Sequence, residues 1–141
     1  KNLKEQVYSI ISTPLMLGWY IELIKYASST LTLSLAQIQI QYSEHSLCII
    51  DYIVKDIPQK CLEIRLNKEE ITLICFFNYK EDCISTFLFP DDPKLIDDFV
   101  GYLTEYADYS FVKSRFSLDN CFLEVQSIRG LEENTCLVFY Q

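Results

Sequence analysis

Between Cys61 and Phe89 three runs of strand length rich in apolar residues are separated by two short polar segments. Leu62, Ile64 and Leu66 alternate with Cys61, Glu63 and Arg65; Asn67 to Glu69 form a polar turn into Ile71 to Phe77; Asn78 to Asp82 lead into Cys83 to Phe89. Turns this short connect antiparallel neighbours, so the segment predicts a β-meander. Leu47 to Val54, apolar on both parities apart from Asp51, reads as a central strand, with Ser43 to Ser46 as the turn before it. From Thr30 the period is also two: Leu31, Leu33 and Leu35 share one face and Ile38, Ile40 and Tyr42 the other, which a bulge near Ala36 would reconcile.

Helical spacing brackets these strands. Leu3, Val7, Ile10 and Ile11 predict a short first helix, and Thr13-Pro14 supplies an N-cap and a first-turn proline for a second helix to about Tyr26. On that second helix only Gly18, Glu22 and Lys25 are not apolar between residues 15 and 25, so something must cover it. Either it is wedged against the sheet, or Met16, Trp19 and Tyr20 form a homodimer or partner surface.

Asp92-Pro93 repeats the cap-and-proline start for the most regular element of the sequence. Leu95, Ile96, Phe99, Val100, Tyr102, Leu103, Tyr106 and Ala107 fill one helical face, and Lys94, Asp97, Asp98, Gly101, Thr104, Glu105 and Asp108 the other. Tyr109 to Asn120 carries no legible period, and Cys121 to Ile128 and Thr135 to Tyr140 predict a final hairpin around Gly130. With no regular strand–helix alternation, the expectation is one α+β domain over residues 1–141: N-terminal helices, an antiparallel meander of about five strands, an amphipathic helix on the sheet and a C-terminal β-hairpin.

Charge and cysteine usage narrow the function classes. A net charge of −8, with twelve scattered Lys and Arg residues, argues against nucleic acid as a partner. The uncharged stretches, residues 6–21 and 26–43, are too short or too rich in Ser, Thr and Gln for a membrane span. Six cysteines without C-x-x-C spacing, each in an apolar run, read as reduced core thiols and point to the cytoplasm.

Catalytic and cofactor chemistry finds little to stand on. His45 is the only histidine and sits in a polar turn, with Cys48 three residues on. Gly18, Gly101 and Gly130 are isolated, which excludes a standard phosphate loop, and no metal-ligand spacing occurs. Asp51 with Glu63 or Glu124 is the one formal carboxylate pair. The expectation is a non-enzymatic domain, without cofactor or metal, that binds another protein as monomer or homodimer. An acidic immunity or inhibitor protein neutralising a basic toxin or nuclease fits this profile. Its contacts would be Asp97, Asp98, Glu105 and Asp108 on the helix and Glu69, Glu70, Glu81 and Asp82 at the turns, with Trp19 and Tyr20 as interface aromatics. The alternatives are a dimeric acidic secretion-type chaperone, and a small-molecule-binding or enzymatic α+β domain whose cavity takes in Asp51 or His45.

Overall fold

The computed structural model of the chain describes residues 14–54, 56–128 and 134–141. The helix expected over residues 3–11 and the turn at Gly130 lie outside them. Helices α1 (Pro14–Ser29) and α2 (Leu35–Gln41) precede strands β1 (Ser46–Val54), β2 (Ile57–Leu66), β3 (Ile71–Phe77) and β4 (Cys83–Pro90). Helix α3 (Lys94–Tyr106) leads to β5 (Asp108–Ser110), β6 (Arg115–Ser117), β7 (Phe122–Ile128) and β8 (Asn134–Tyr140). The class is the expected α+β. All eight strands join one antiparallel sheet in the order β1-β2-β3-β4-β8-β7-β6-β5, so two four-strand meanders meet where β8 lies beside β4.

Eight strands stand where a meander of about five and a final hairpin were expected: residues 35–41 are helix, and β5 and β6, of three residues each, are too short to display a period. The hairpin of β7 and β8 is present, pairing Phe122 with Tyr140 through to Ile128 with Asn134. Two expectations are corrected. Residues 35–41 are helix, not strand: Ser34 Oγ accepts the Gln37 N–H at 3.2 Å while Gln37 Oε1 accepts the Ser34 N–H at 2.9 Å, closing a capping box. Leu31, Leu35, Ile38 and Tyr42 are then the buried set, at helical spacing, and Ile40 faces out. Secondly, β1 is an edge strand rather than a central one, pairing only with β2 among the described residues.

One face of the sheet carries the core. Leu62, Cys75, Thr86, Phe139 and Leu123 align across five strands, and Ile64, Leu73, Leu88 and Leu137 form the next row. Against these rows pack α1, over β4 and β8, and α3, over β8 and β5. The two helices meet through Tyr20, whose ring lies 5.2 Å from Phe99 and 5.1 Å from Tyr102, centroid to centroid. Helix α3 begins one residue later than expected, at Lys94, so Pro93 stands at the N-cap with helical torsions (φ −60°, ψ −21°), and Asp92 Oδ1 accepts the Lys94 N–H at 3.0 Å just ahead of it.

The link from α1 to α2 is sewn to the start of β4. Thr32 N–H donates to the Cys83 carbonyl and Cys83 N–H to the Leu33 carbonyl, while the buried Thr30 and Thr86 hydroxyls share a 2.6 Å hydrogen bond. Five of the six cysteines are buried as expected and Cys48 is exposed. Burial pushes the Cys121 and Cys136 thiols up to about 11, and the hydrogen bond that the Cys75 thiol donates to Cys83, together with burial, holds Cys75 well above its ordinary value. Protonated and enclosed, these behave as small apolar side chains.

Candidate protein-interaction surface

Sheet width decides what stays uncovered. Eight strands about 4.8 Å apart span roughly 34 Å, whereas each helix covers about 10 Å. Among the described residues, the flanks of the helix-bearing face are therefore sparsely covered: Ile49 on β1 is 50% exposed and Val125 on β7 is 41% exposed. At the second flank the gap becomes a groove of about 560 Å³ between α3 and the β5–β6 hairpin. Val100, Asp97 and Thr104 of α3 make one wall, Phe116 and Val125 the floor, and Tyr109 and Phe111 the other wall.

The hairpin holds its aromatic residues in water by local bonding. Lys113 N–H donates to Ser110 Oγ at 3.2 Å and Ser114 adopts φ 53°, which turns the chain within four residues. At the tip Phe111 is 87% and Val112 is 94% exposed. Tyr109 braces Phe111 edge-on at 5.1 Å and contacts the buried Phe116 at 4.8 Å, tying the exposed ring to the core. Phe111 and Val112 are thus large apolar side chains held out together beside the groove.

Of the acidic residues singled out from the sequence, Asp97 alone lines this groove. Asp98 lies round α3 on the side of Tyr20, whose phenol it helps to raise, and Glu105 and Asp108 are exposed toward the C-terminal end of α3. Glu69 turns toward α1, accepting the Tyr26 hydroxyl at 3.2 Å, next to the exposed Glu70. Glu81, 3.9 Å from Lys60, and Asp82 stand at the opposite end of β3 and β4. The turn residues thus fall at two ends of the sheet rather than in one patch.

Trp19 is half-buried, and Tyr20 is fully buried between α1 and α3, which leaves Tyr20 no surface for a partner. Leu23 and Ala27 of the same helix also belong to the core, so much of the apolar surface of α1 is consumed within the chain. Tyr109, Phe111, Val112 and Val125 were not singled out from the sequence. Their signal was local: two large apolar residues, Phe111 and Val112, between Ser110 and Lys113 in a stretch without period.

Asp51 is exposed on β1 opposite Lys60, on the sheet face of Ile49, whereas Glu63 and Glu124 project from the other face. The carboxylate pair is therefore not assembled. His45 is exposed with its ring 5.7 Å from Tyr42, and neither it nor Asp51 lines the groove. Among the described residues no three His, Cys, Asp or Glu side chains gather to hold a metal ion, and no helix is long and apolar enough to cross a membrane.

What fold and site define is an α+β domain with a single antiparallel sheet and an apolar groove on its helix-bearing face. No family model matches the chain, and no curated protein or solved structure does.

Proposed function

We propose that this domain is a non-enzymatic protein-binding module for a basic partner, acting as an immunity or inhibitor protein does against a toxin or nuclease. The observation that carries this reading is the groove beside α3 with Phe111 and Val112 standing at its rim. Aromatic side chains anchor interfaces by filling pockets on the partner, and a net charge of −8 speeds encounter with a basic surface. Asp97 at the groove sets the register of a basic side chain, and Glu105 and Asp108 add to the steering field. The enclosed, protonated thiols of Cys75, Cys121 and Cys136 fit a reducing compartment, and we place the protein in the cytoplasm on that basis.

The volume of the groove, within the range of small-ligand sites, supports a second reading in which an apolar small molecule occupies it. One experiment separates the two. The full chain, immobilised, is offered a lysate of its source at low salt and washed at high salt, alongside Phe111→Lys and Asp97→Lys baits. A basic protein retained by the wild type, released by salt and lost with both variants is the expected result. Retention equal on all three baits refutes the groove as its site, and an empty wild-type bait turns the question to small molecules.

A further inference from the structure

Among the described residues, the two edges of the sheet differ in kind. β5 closes one side with three residues, beginning at Asp108. β1 closes the other with nine, matched to β2 from Ser46↔Arg65 to Val54↔Ile57 without a register shift. Asp51 is its one charged residue, and it contains neither proline nor lysine. Ile49 is 50% exposed on the helix-bearing face and Cys48 is exposed on the other. Outward N–H and C=O groups on such an edge are a template for another strand, and soluble proteins blunt their edges with shortness, proline, lysine or bulges. β5 has the first of these devices, and β1 has only Asp51.

We propose that β1 is an association surface at which a second copy of this chain adds its own β1, antiparallel, so that two eight-stranded sheets continue edge to edge. A copy is the occupant that the geometry favours. An antiparallel pair of identical strands has a twofold axis through its middle, so the same nine residues serve both partners and the contact closes on itself. Pairing β1 with β5 of the next copy would match nine residues with three and leave an open chain of molecules.

The axis stands normal to the sheet, which keeps the helices of both copies on one side and sets like faces opposite each other. Placed at Asp51, it would oppose two carboxylates, which is unfavourable. Placed at Ile49 or Ile50, it brings an isoleucine against its counterpart, and Asp51 meets an apolar residue of the second copy. A strip about 30 Å long and one strand wide falls below the roughly 1,200 Å² of a standard stable interface, so the dimer is weak and concentration-dependent. The groove lies at the far side of the sheet and stays open in this dimer.

Sedimentation velocity of the full chain from about 1 to 500 μM, with hydrogen exchange at both limits, tests the proposal. The expected result is a monomer–dimer equilibrium in which the outward amides of β1 exchange more slowly at high concentration. Ile49→Lys and, separately, Cys48→Lys place a charge on either face of the edge and weaken the dimer at least about tenfold. Phe111→Lys leaves it intact. A monomer throughout, a dimer whose β1 amides gain no protection, or a dimer lost with Phe111→Lys and kept by both β1 variants overturns the proposal. If either lysine variant loses its far-UV circular dichroism, the exchange data on the wild type still decide.

Discussion

The hydroxyl of Tyr20 stands in the wall between α1 and α3 with its ring packed on Phe99 and Tyr102, and among the described residues it has no hydrogen-bond partner. A buried hydroxyl without a partner costs about 1–3 kcal/mol relative to one left in water. Tyr20→Phe keeps the ring, removes the orphan oxygen, and is expected to raise stability by about 1 kcal/mol, the low end, since the oxygen leaves a small void. An unfolding entropy of about 2.1 cal/mol/K per residue gives about 0.3 kcal/mol/K for the 141-residue chain, so the gain corresponds to a Tm about 3 °C higher. Alkaline pH gives an independent reading. Burial first, and the Asp98 carboxylate second, push the phenol from 10.0 up to about 12. Because the folded value lies above the unfolded one, this contribution is complete below about pH 10 and is lost as pH rises toward 12. The wild type therefore loses stability across that window, and Tyr20→Phe loses less, with the similarly raised Tyr42 accounting for part of what is left. Scanning calorimetry at pH 7 and urea titrations at pH 9 and 11 make both measurements. A variant less stable than the wild type by more than about 0.5 kcal/mol would show that the hydroxyl is bonded, and the reasoning would fail.

Three further outcomes follow from the same geometry. Ser34→Ala opens the capping box of α2 and is expected to cost about 1 kcal/mol in urea unfolding. Arg65 grips Asp91 through two contacts of 2.6 Å, but both side chains are partly exposed, so Arg65→Ala should cost no more than about 1 kcal/mol, and less in high salt. The same guanidinium holds the Asp91 carboxyl below its ordinary value, so what the pair adds is present above pH 3.8 and fades on further acidification, which an acid titration of both proteins would register. Phe111→Lys should alter stability by less than about 0.5 kcal/mol while abolishing partner capture, and a large loss of stability would instead make Phe111 a structural residue.

What the residues disclosed depended on element length. α3 has 13 residues and a clean apolar stripe, so its face could be read directly and its start to within one residue. The long strands β2, β3 and β4 were legible for the same reason. In contrast, Leu31 to Tyr42 offers apolar residues at positions that satisfy both periods, and only the Ser34–Gln37 capping box, a signal outside the hydrophobic pattern, separates helix from strand. β1 looked central because nothing in a sequence marks which strand has a neighbour on both sides. The groove was hidden because its walls come from α3 and from residues 109–116, apposed only by packing, and because exposure of Phe111 is a property of the turn beneath it. Charge named Asp97 but could not tell it from Glu81 and Asp82 at the far end of β3.

The place of β8 inside the sheet sets a timetable for synthesis. β4 is complete at Pro90, yet the strand that covers its free side ends at Tyr140. At about 5–20 residues per second, a ribosome needs roughly 3 to 10 s to deliver the intervening chain. Throughout that interval the nascent β1–β4 meander presents Phe87 and Leu88 on an unsatisfied strand in the crowded exit region. Completion of the sheet thus waits on residues 134–140, and holding factors at the tunnel mouth have their longest opportunity at β4.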